Sequence, residues 1–333
     1  MDSREGTRMR AARLHAASDV RVASEEAPAA AEGRTLVRVG AVGLCGSDLH
    51  WFLDGGIGDA RIDEPAIPGH EIGGVALDGP YAGRVVAVDP AIPCFHCERC
   101  HEGWTNLCPE VKFAGHGDTD GGMAEIISWP TERLVPLPEG LDPEDAAVLE
   151  PLGVAVHAWD LSHVRLGDRV AIVGAGPIGL FLVQLARHSL AARVTVVEPL
   201  AHRREAALAQ GADAAVAPDE LEASDADVVF EVCGNPDPVR EAMTLARRGG
   251  RVVLVGIPDE DVTTFPASLA RRKGLTIAVV RRMPEVYERA VGLAARGVVD
   301  LKAVVSHRFG LDAAQEGFEF AATRGGLKVL ITP

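Results

Sequence analysis

The 333-residue chain has no uninterrupted apolar run that approaches the roughly 20 residues needed to span a membrane. It also lacks an excess of basic residues, since 33 lysines and arginines face 48 aspartates and glutamates, a net charge of −15. An acidic surface argues against nucleic acids and anionic membranes as main partners. The N-terminal residues contain no apolar segment of the kind found in signal peptides. These absences predict a cytoplasmic protein.

Internal repeats and low-complexity segments are also absent, and the composition is that of an ordinary two-domain globular chain, 47% hydrophobic and 24% charged. Short strands separated by glycine and proline predict a small β-barrel-like lobe in the first half. Alternating strands and helices over 152–280 predict an α/β domain with a doubly wound parallel sheet. After residue 281 we expect one helix and two short strands that return to the first lobe. The predicted domains are therefore 1–151 with 281–333, and 152–280.

Cysteine is scarce, with six in the chain, yet four form a C-x₂-C-x₂-C-x₇-C pattern: Cys94, Cys97, Cys100 and Cys108. The two-residue gaps let a tight turn direct successive thiolates at one centre, and a longer loop returns the fourth. Zn²⁺ is the natural occupant of a tetrahedral four-thiolate site. The spacing predicts a closed structural zinc site rather than disulfides, which a reducing compartment disfavours.

A glycine-rich segment follows a predicted apolar strand and opens a predicted helix; its residues are Gly174, Gly176, Pro177, Ile178 and Gly179. In a βαβ unit this pattern predicts a dinucleotide site, with the pyrophosphate at the helix N-terminus. Glu198 ends the next predicted strand, where its carboxylate can accept hydrogen bonds from the adenosine ribose and repel a 2′-phosphate. NAD is therefore expected rather than NADP, although Arg203 could reach such a phosphate.

Four other residues have side chains that commonly bind metals: Cys45, His70, Glu71 and Glu150. One thiolate, one imidazole and one or two carboxylates could form an open zinc site. Residue types alone leave this undecided, because a single cysteine is usually a buried apolar side chain and a single glutamate is usually solvated.

The order of the motifs resembles that of the zinc-dependent medium-chain alcohol dehydrogenases, from about Met9 to the C-terminus. The shared motifs are Gly43-Leu-Cys45-Gly-Ser47-Asp48-Leu-His50, Gly69-His70-Glu71, the four-cysteine loop, Glu150-Pro-Leu and the glycine-rich segment. Further motifs resemble the polyol branch, which includes sorbitol, xylitol and idonate dehydrogenases. They are Ile57-Gly58-Asp59, Asn106-Leu-Cys108-Pro-Glu-Val-Lys-Phe113, Asp120-Gly-Gly122 and Val305-Ser-His307-Arg308-Phe309.

The resemblance implies a GroES-like catalytic lobe, a Rossmann lobe, and NAD-dependent interconversion of a secondary alcohol of a polyol, sugar or sugar acid with the ketone. It implies catalytic zinc on Cys45, His70 and Glu71, with Glu150 as a fourth ligand or linked through water. Two zinc ions per chain are thus expected. Many animal sorbitol dehydrogenases lack the four cysteines present here. That subgroup usually has tyrosine at the position of Trp51, and the segment between residues 71 and 84 is shorter here than usual.

In the resemblance, the substrate proton leaves through the Ser47 hydroxyl and His50, while Asp48 orients a ligand imidazole. We expect Trp51, Phe113 and Arg308 to form the substrate wall, and the protein to be a homodimer or homotetramer. Two alternatives use the same residues. One is a zinc dehydrogenase of an amino alcohol such as threonine, or of an aldose. The other is a zinc- and nucleotide-binding redox sensor without catalytic activity.

Overall fold

The computed structural model describes residues 7–221, 225–259 and 262–333, and the chain divides into two compact units. The first unit extends to Glu150 and resumes with Val305–Pro333, and the second contains Pro151–Val304. Residues 281–304 therefore lie with the second unit, whereas the sequence prediction grouped them with the first. Hydrogen bonds between Gln184 and Asp300 explain this placement: Asp300 N donates to Oε1 at 2.7 Å, and Nε2 donates to Asp300 O at 3.2 Å.

The first part of the chain is built mainly from short strands, as its glycine and proline content predicts. The strands are β1 (Arg8–Ala16), β2 (Asp19–Glu26), β3 (Arg34–Gly43), β4 (Gly56–Ile57), β5 (Ala60–Arg61), β6 (Glu71–Ala76), β7 (Val85–Val88), β8 (Ala91–Ile92), β9 (Lys112–Phe113), β10 (Ile126–Pro130) and β11 (Leu134–Pro136). The helices are α1 (Gly46–Asp54), α2 (Glu98–His101) and α3 (Pro143–Ser162). The division between the units falls within α3, after Glu150.

The second unit alternates strands and helices, as predicted for a Rossmann lobe. Its elements are β12 (Arg169–Val173), α4 (Pro177–His188), β13 (Arg193–Val197), α5 (Ala201–Ala209), β14 (Ala214–Val216), β15 (Ala226–Glu231), α6 (Pro236–Leu245), β16 (Ala246–Leu254), α7 (Ala267–Lys273), β17 (Thr276–Val279) and α8 (Tyr287–Ala295). The strands form one parallel sheet in the order β14-β13-β12-β15-β16-β17. Apolar runs such as β12 and β13 suit a sheet covered on both faces.

The chain then returns to the first unit through β18 (Val305–Gly310), α9 (Ala314–Ala322) and β19 (Lys328–Thr332). β19 enters the main sheet of that unit beside β3, giving the order β11-β7-β6-β3-β19-β18, and β10 also pairs with β3. After residue 281 the chain thus forms α8 and α9, where the sequence predicted one helix, while the two predicted strands correspond to β18 and β19.

Each unit has its own apolar interior. Buried side chains such as Val37, Phe52, Ile72 and Phe318 pack in the first unit, and the strands of the parallel sheet pack against helices such as α6 in the second. The predicted α/β architecture, a GroES-like lobe with a Rossmann lobe, is confirmed. Among the described residues, every helix is too short or too polar to cross a membrane.

Candidate active site

The four cysteines of the loop converge as their spacing predicts. Their Sγ atoms all lie within 4.8 Å of one another; the four residues are Cys94, Cys97, Cys100 and Cys108. All four are free thiols, and the backbone N–H of Cys94 donates to Cys108 Sγ at 3.4 Å. The short helix α2 supplies the turn between the second and third cysteines. This group has the composition and closeness of a four-thiolate metal site.

A second group forms in the same unit around Cys45, His70 and Glu71, whose ligand-type atoms lie within 4.8 Å of one another. Cys45 is the N-cap residue of α1, in an extended conformation, so its side chain stands at the beginning of the helix. Glu71 begins β6, and His70 immediately precedes it. His70 and Glu71 are buried and Cys45 is half-buried. The fold thus brings Cys45 together with the adjacent pair His70 and Glu71, which lies well apart from it in the sequence.

Asp48 connects the two halves of this group. One carboxylate oxygen accepts the backbone N–H of Cys45 at 2.9 Å, and the other lies 3.5 Å from His70 Nδ1. Burial lowers the pKa of His70, but the Asp48 carboxylate and the Cys45 side chain together outweigh burial and hold that pKa well above its usual value. With Nδ1 turned towards Asp48, Nε2 is the ring atom left for a metal, an arrangement common in histidine metal sites.

Glu71 and Glu150 face a buried lysine. Lys328 Nζ donates to Glu71 Oε1 at 2.6 Å and to the carbonyl of Leu44 at 2.8 Å. Glu150 is 4% exposed, and burial raises its pKa to about 7, with the charges of His70, Glu71 and Lys328 also acting on it. Its carboxylate lies outside the group of atoms within 4.8 Å found among the described residues. Glu150 therefore interacts electrostatically with the candidate metal centre without belonging to the closest three residues.

Aromatic rings line the side of His70. The ring centroid of Phe113 is 5.3 Å from that of His70, and the ring of His116 is 5.7 Å away. Trp51 Nε1 donates to His116 Nδ1 at 3.3 Å, so the His116 imidazole lies between Trp51 and the candidate metal ligand His70. A cavity of about 320 Å³ lies beside Trp51. Its lining combines apolar residues such as Leu14 and Pro68 with four charged ones, Arg61, Asp63, Glu64 and Asp118.

The remaining predicted residues of this unit lie in different surroundings. Ser47 is buried in α1, two residues after Cys45, whereas His50 places Nδ1 3.3 Å from Asp54. Arg308 forms two hydrogen bonds with the Glu144 carboxylate, at 2.7 and 2.6 Å, which raise the pKa of the guanidinium. The contacts of Arg308 within the described residues thus lead to Glu144, and its place in a substrate wall stays a prediction.

The glycine-rich segment connects β12 with α4. Gly174 has a φ of +103°, and a Cβ atom there would lie 2.6 Å from Cys233 Sγ. A Cβ on Gly179 would lie 2.1 Å from the Gly174 carbonyl oxygen, so both positions require glycine. At Gly176, by contrast, the nearest atom to a Cβ would be an Arg203 nitrogen at 4.0 Å. The space over Gly176, at the N-terminus of a helix that begins with Pro177, suits an anionic group.

Glu198 follows β13, as the sequence predicts, and its carboxylate bonds to the backbone. Oε2 accepts the N–H of Ala175 at 2.8 Å, and Oε1 accepts that of Leu200 at 3.0 Å. The side chain thus ties the glycine-rich segment to the end of the neighbouring strand. Arg204 bonds the carbonyls of Glu198 and Pro199, while Arg203 is the arginine near Gly176.

Sequence reasoning missed two residues of the site, Lys328 and His116. Lys328 is the single charged residue in the strand KVLIT and stands before three buried apolar residues, and a lysine at such a position needs a buried partner. That isolated charge could have indicated its role, although not which acid it meets. His116 lies in a loop with no periodic pattern, so its contact with Trp51 could not have been read from the sequence.

Family models match both units of the chain. Residues 31–139 match the alcohol dehydrogenase GroES-like domain, and residues 177–296 match the zinc-binding dehydrogenase domain. Sorbitol dehydrogenase from Bacillus subtilis strain 168 is 32% identical, in an alignment that covers 98% of this chain and 97% of the relative.

Solved structures show the same likeness. L-idonate 5-dehydrogenase from Escherichia coli aligns with a TM-score of 0.92 at 28% identity, over 98% of this chain and 99% of that one. A zinc-binding dehydrogenase from Sinorhizobium meliloti 1021, solved with bound NADP, aligns with a TM-score of 0.90 at 31% identity, over 98% and 100% of the two chains. The alignments extend across both units.

Proposed function

Because the chain belongs to the zinc-dependent medium-chain alcohol dehydrogenase family, within its polyol dehydrogenase branch, we propose that it oxidises a secondary alcohol of a polyol, sugar or sugar acid to the ketone, and catalyses the reverse reaction. The observation that carries this proposal is the group formed by Cys45, His70 and Glu71. A nicotinamide cofactor, proposed below to be NAD(H), supplies the hydride acceptor.

The donor atoms of this group fit a zinc ion. A thiolate, an imidazole nitrogen and a carboxylate oxygen form a three-residue set typical of an open zinc site. Glu71 Oε2 is buried and has no hydrogen-bond partner among the described residues, which is costly unless a cation satisfies it. Zinc bound by Cys45, His70 and Glu71 would supply a Lewis acid for the substrate oxygen.

The protein side chains then have separate tasks. Asp48 fixes the orientation of His70 through Nδ1. The buried hydroxyl of Ser47 can accept the proton of the substrate hydroxyl while donating its own, and His50 passes that proton towards solvent. Phe113 and Trp51 exclude water from the side of His70 and contact the carbon chain of the substrate. Glu150 supports the metal site, either directly or through water.

We assign a second zinc to Cys94, Cys97, Cys100 and Cys108. Four thiolates leave no open position, so this zinc would stabilise the loop and take no part in the reaction. Free thiols in such a site require a reducing compartment, which supports the cytoplasm as the location.

We propose NAD rather than NADP as the cofactor. The carboxylate of Glu198 at the end of β13 would repel a 2′-phosphate. Two observations favour NADP instead. Arg203 lies near Gly176, and the relative from Sinorhizobium meliloti was solved with bound NADP. We expect NAD to be preferred by at least roughly tenfold in kcat/KM, equal to about 1.4 kcal/mol. Equal turnover with NADP would contradict this assignment, and Arg203→Ala should then lower the turnover with NADP alone.

We further propose that the protein is a homodimer or homotetramer. β17 is the last strand of the parallel sheet as described, and Val279 on it is 72% exposed. An edge strand with an exposed apolar side chain favours pairing with another copy of the chain. Sedimentation of the wild type and of Val279→Lys would test this pairing, since the added charge should weaken association. A monomeric wild type would contradict it.

The proposed reaction is tested by following NADH absorbance with sorbitol, xylitol, an aldonic acid and threonine, with zinc content measured on the same sample. NADH formation with a polyol or sugar acid supports the proposal. Turnover of threonine alone would indicate an amino alcohol dehydrogenase. Bound NAD without turnover of any substrate would indicate a sensor.

A further inference from the structure

Lys328 is almost completely enclosed in the first unit, with 2% of its surface exposed. It begins β19, where the next three residues are apolar. Its amino group donates to Glu71 Oε1 at 2.6 Å and to the carbonyl of Leu44 at 2.8 Å. Glu71 is itself a candidate metal ligand, and Leu44 precedes another, Cys45, in the chain.

The absence of a side chain at Gly43 lets the side chains of Glu71 and Lys328 meet across β3. β3 lies between β6 and β19, and its last residue, Gly43, pairs with Glu71 on one side and with Leu330 on the other. A Cβ atom on Gly43 would lie only 1.8 Å from Glu71 Oε2. The Glu71 carboxylate therefore occupies the space that any side chain at position 43 would need, and reaches across the middle strand to Lys328.

The two carboxylate oxygens of Glu71 are thus not equivalent. Oε1 is held by Lys328, whereas Oε2 is buried without a hydrogen-bond partner among the described residues. Glu71 also contributes an atom to the group that it forms with Cys45 and His70. We propose that Lys328 is a positioning residue. Together with the absence of a side chain at Gly43, it holds Glu71 so that a single carboxylate oxygen faces the metal.

This role rests on the proposed zinc site and differs from that of an ordinary buried ion pair. Buried pairs are often no more stabilising than apolar residues of similar size, so stability alone explains little. A positioning residue acts through Glu71, and its removal changes the coordination of the metal. An ion pair that only stabilised the fold would leave the coordination unchanged in every variant that folds.

Cadmium NMR of the cadmium-substituted protein tests this difference, because the chemical shift reports the ligands of each metal. We expect two resonances for the wild type, one from the four-thiolate site and one from the mixed-ligand site. Lys328→Met should move only the mixed-ligand resonance. Lys328→Arg, which keeps the positive charge and the donors, should move it less. Gly43→Ala should also move it, although the lysine remains.

Two controls give the test its specificity. Lys273→Met removes a lysine that bonds the carbonyls of Met243, Thr244 and Ala246 in the second unit, and should leave both resonances in place. In a Glu71→Gln background, Lys328→Met should cause little further shift, because its effect passes through the Glu71 carboxylate.

An unmoved mixed-ligand resonance in Lys328→Met would overturn the proposal, as would an equally large shift in the Glu71→Gln background. If Lys328→Met does not fold, Gly43→Ala decides the matter, and an unmoved resonance there overturns the proposal. If the wild type shows no mixed-ligand resonance, the proposed metal centre itself is wrong. That outcome differs from one in which the centre binds metal but Lys328 does not position Glu71.

Discussion

The four-cysteine group takes its donor atoms from residues 94–108, whereas the group of Cys45, His70 and Glu71 draws on the beginnings of α1 and β6. The first group contains thiols alone and three of its four cysteines are half-buried. The second combines three donor types with buried Asp48, Glu150 and Lys328 around it. A uniform local site can shape a loop, while a mixed site assembled from separate elements can leave one position open for a substrate.

The largest expected effect comes from removing a ligand of the mixed group. His70→Ala should lower kcat/KM by about a thousandfold or more, a loss of ~4 kcal/mol of transition-state stabilisation. Zinc content should fall by about one ion per chain, since the four-cysteine site remains. Steady-state kinetics and metal analysis on one preparation provide the measurement. Near-normal activity in this variant would show that the group of Cys45, His70 and Glu71 is not the catalytic metal site.

Glu150→Ala should have the next largest effect. The role proposed for this carboxylate is to support the metal centre from outside its closest three residues, and changes to such supporting groups typically cost 10- to 100-fold, so kcat should fall by about that factor. The zinc of the four-cysteine loop should stay bound. Glu125→Ala is a suitable control, because that carboxylate pairs with Arg10, a residue with no proposed role in the site. A fully active Glu150→Ala enzyme would contradict the role given to this residue.

The mixed group should also determine the choice of substrate. A carboxylate near the metal, in place of a further thiolate, leaves more positive charge on the metal, which suits a substrate with two adjacent hydroxyl groups. We expect sorbitol or xylitol to exceed ethanol by about tenfold or more in kcat/KM, or at least ~1.4 kcal/mol. Kinetics of the wild-type enzyme on these three alcohols decides the point, and a preference for ethanol would refute the argument.

The smallest effect on catalysis is expected from the four-cysteine loop. Cys97→Ser should lower zinc content by about one ion per chain, and the melting temperature by about 5 °C for a loss of ~2 kcal/mol. At a temperature where the variant is folded, kcat should stay within about twofold of the wild-type value, since a closed site takes no part in the reaction. Full zinc content with an unchanged melting temperature would show that the four-cysteine group does not hold a structural zinc ion.

Local patterns predicted much of this molecule because short-range geometry determines the features concerned. The spacing of Cys94, Cys97, Cys100 and Cys108 allows their convergence through a tight turn, and the glycine-rich segment must connect a strand with a helix. The resemblance to a known family then supplied Cys45, His70 and Glu71, which residue types alone had left undecided.

What could not be predicted depends on contacts between distant parts of the chain. Lys328 meets Glu71 because β19 inserts beside β3, a pairing that no local pattern in either strand specifies. The hydrogen bonds between Arg308 and Glu144 join residues 164 positions apart, which neither local segment predicts. Residues 281–304 belong with the second unit because of bonds such as those between Gln184 and Asp300.

The position of β19 in the chain has a consequence for biosynthesis. β3 and β6 leave the ribosome early, but β19, the other neighbour of β3, follows only after all of the second unit has been made. At roughly 5 to 20 residues per second, translation of that unit takes roughly 8 to 30 seconds. During this interval the end of β3 that pairs with β19, at Val42 and Gly43, lies open, and Glu71 lacks the lysine that will bond it. The contiguous second unit can therefore fold first, and a nascent chain stalled before residue 328 would expose an unfinished sheet to chaperones and proteases.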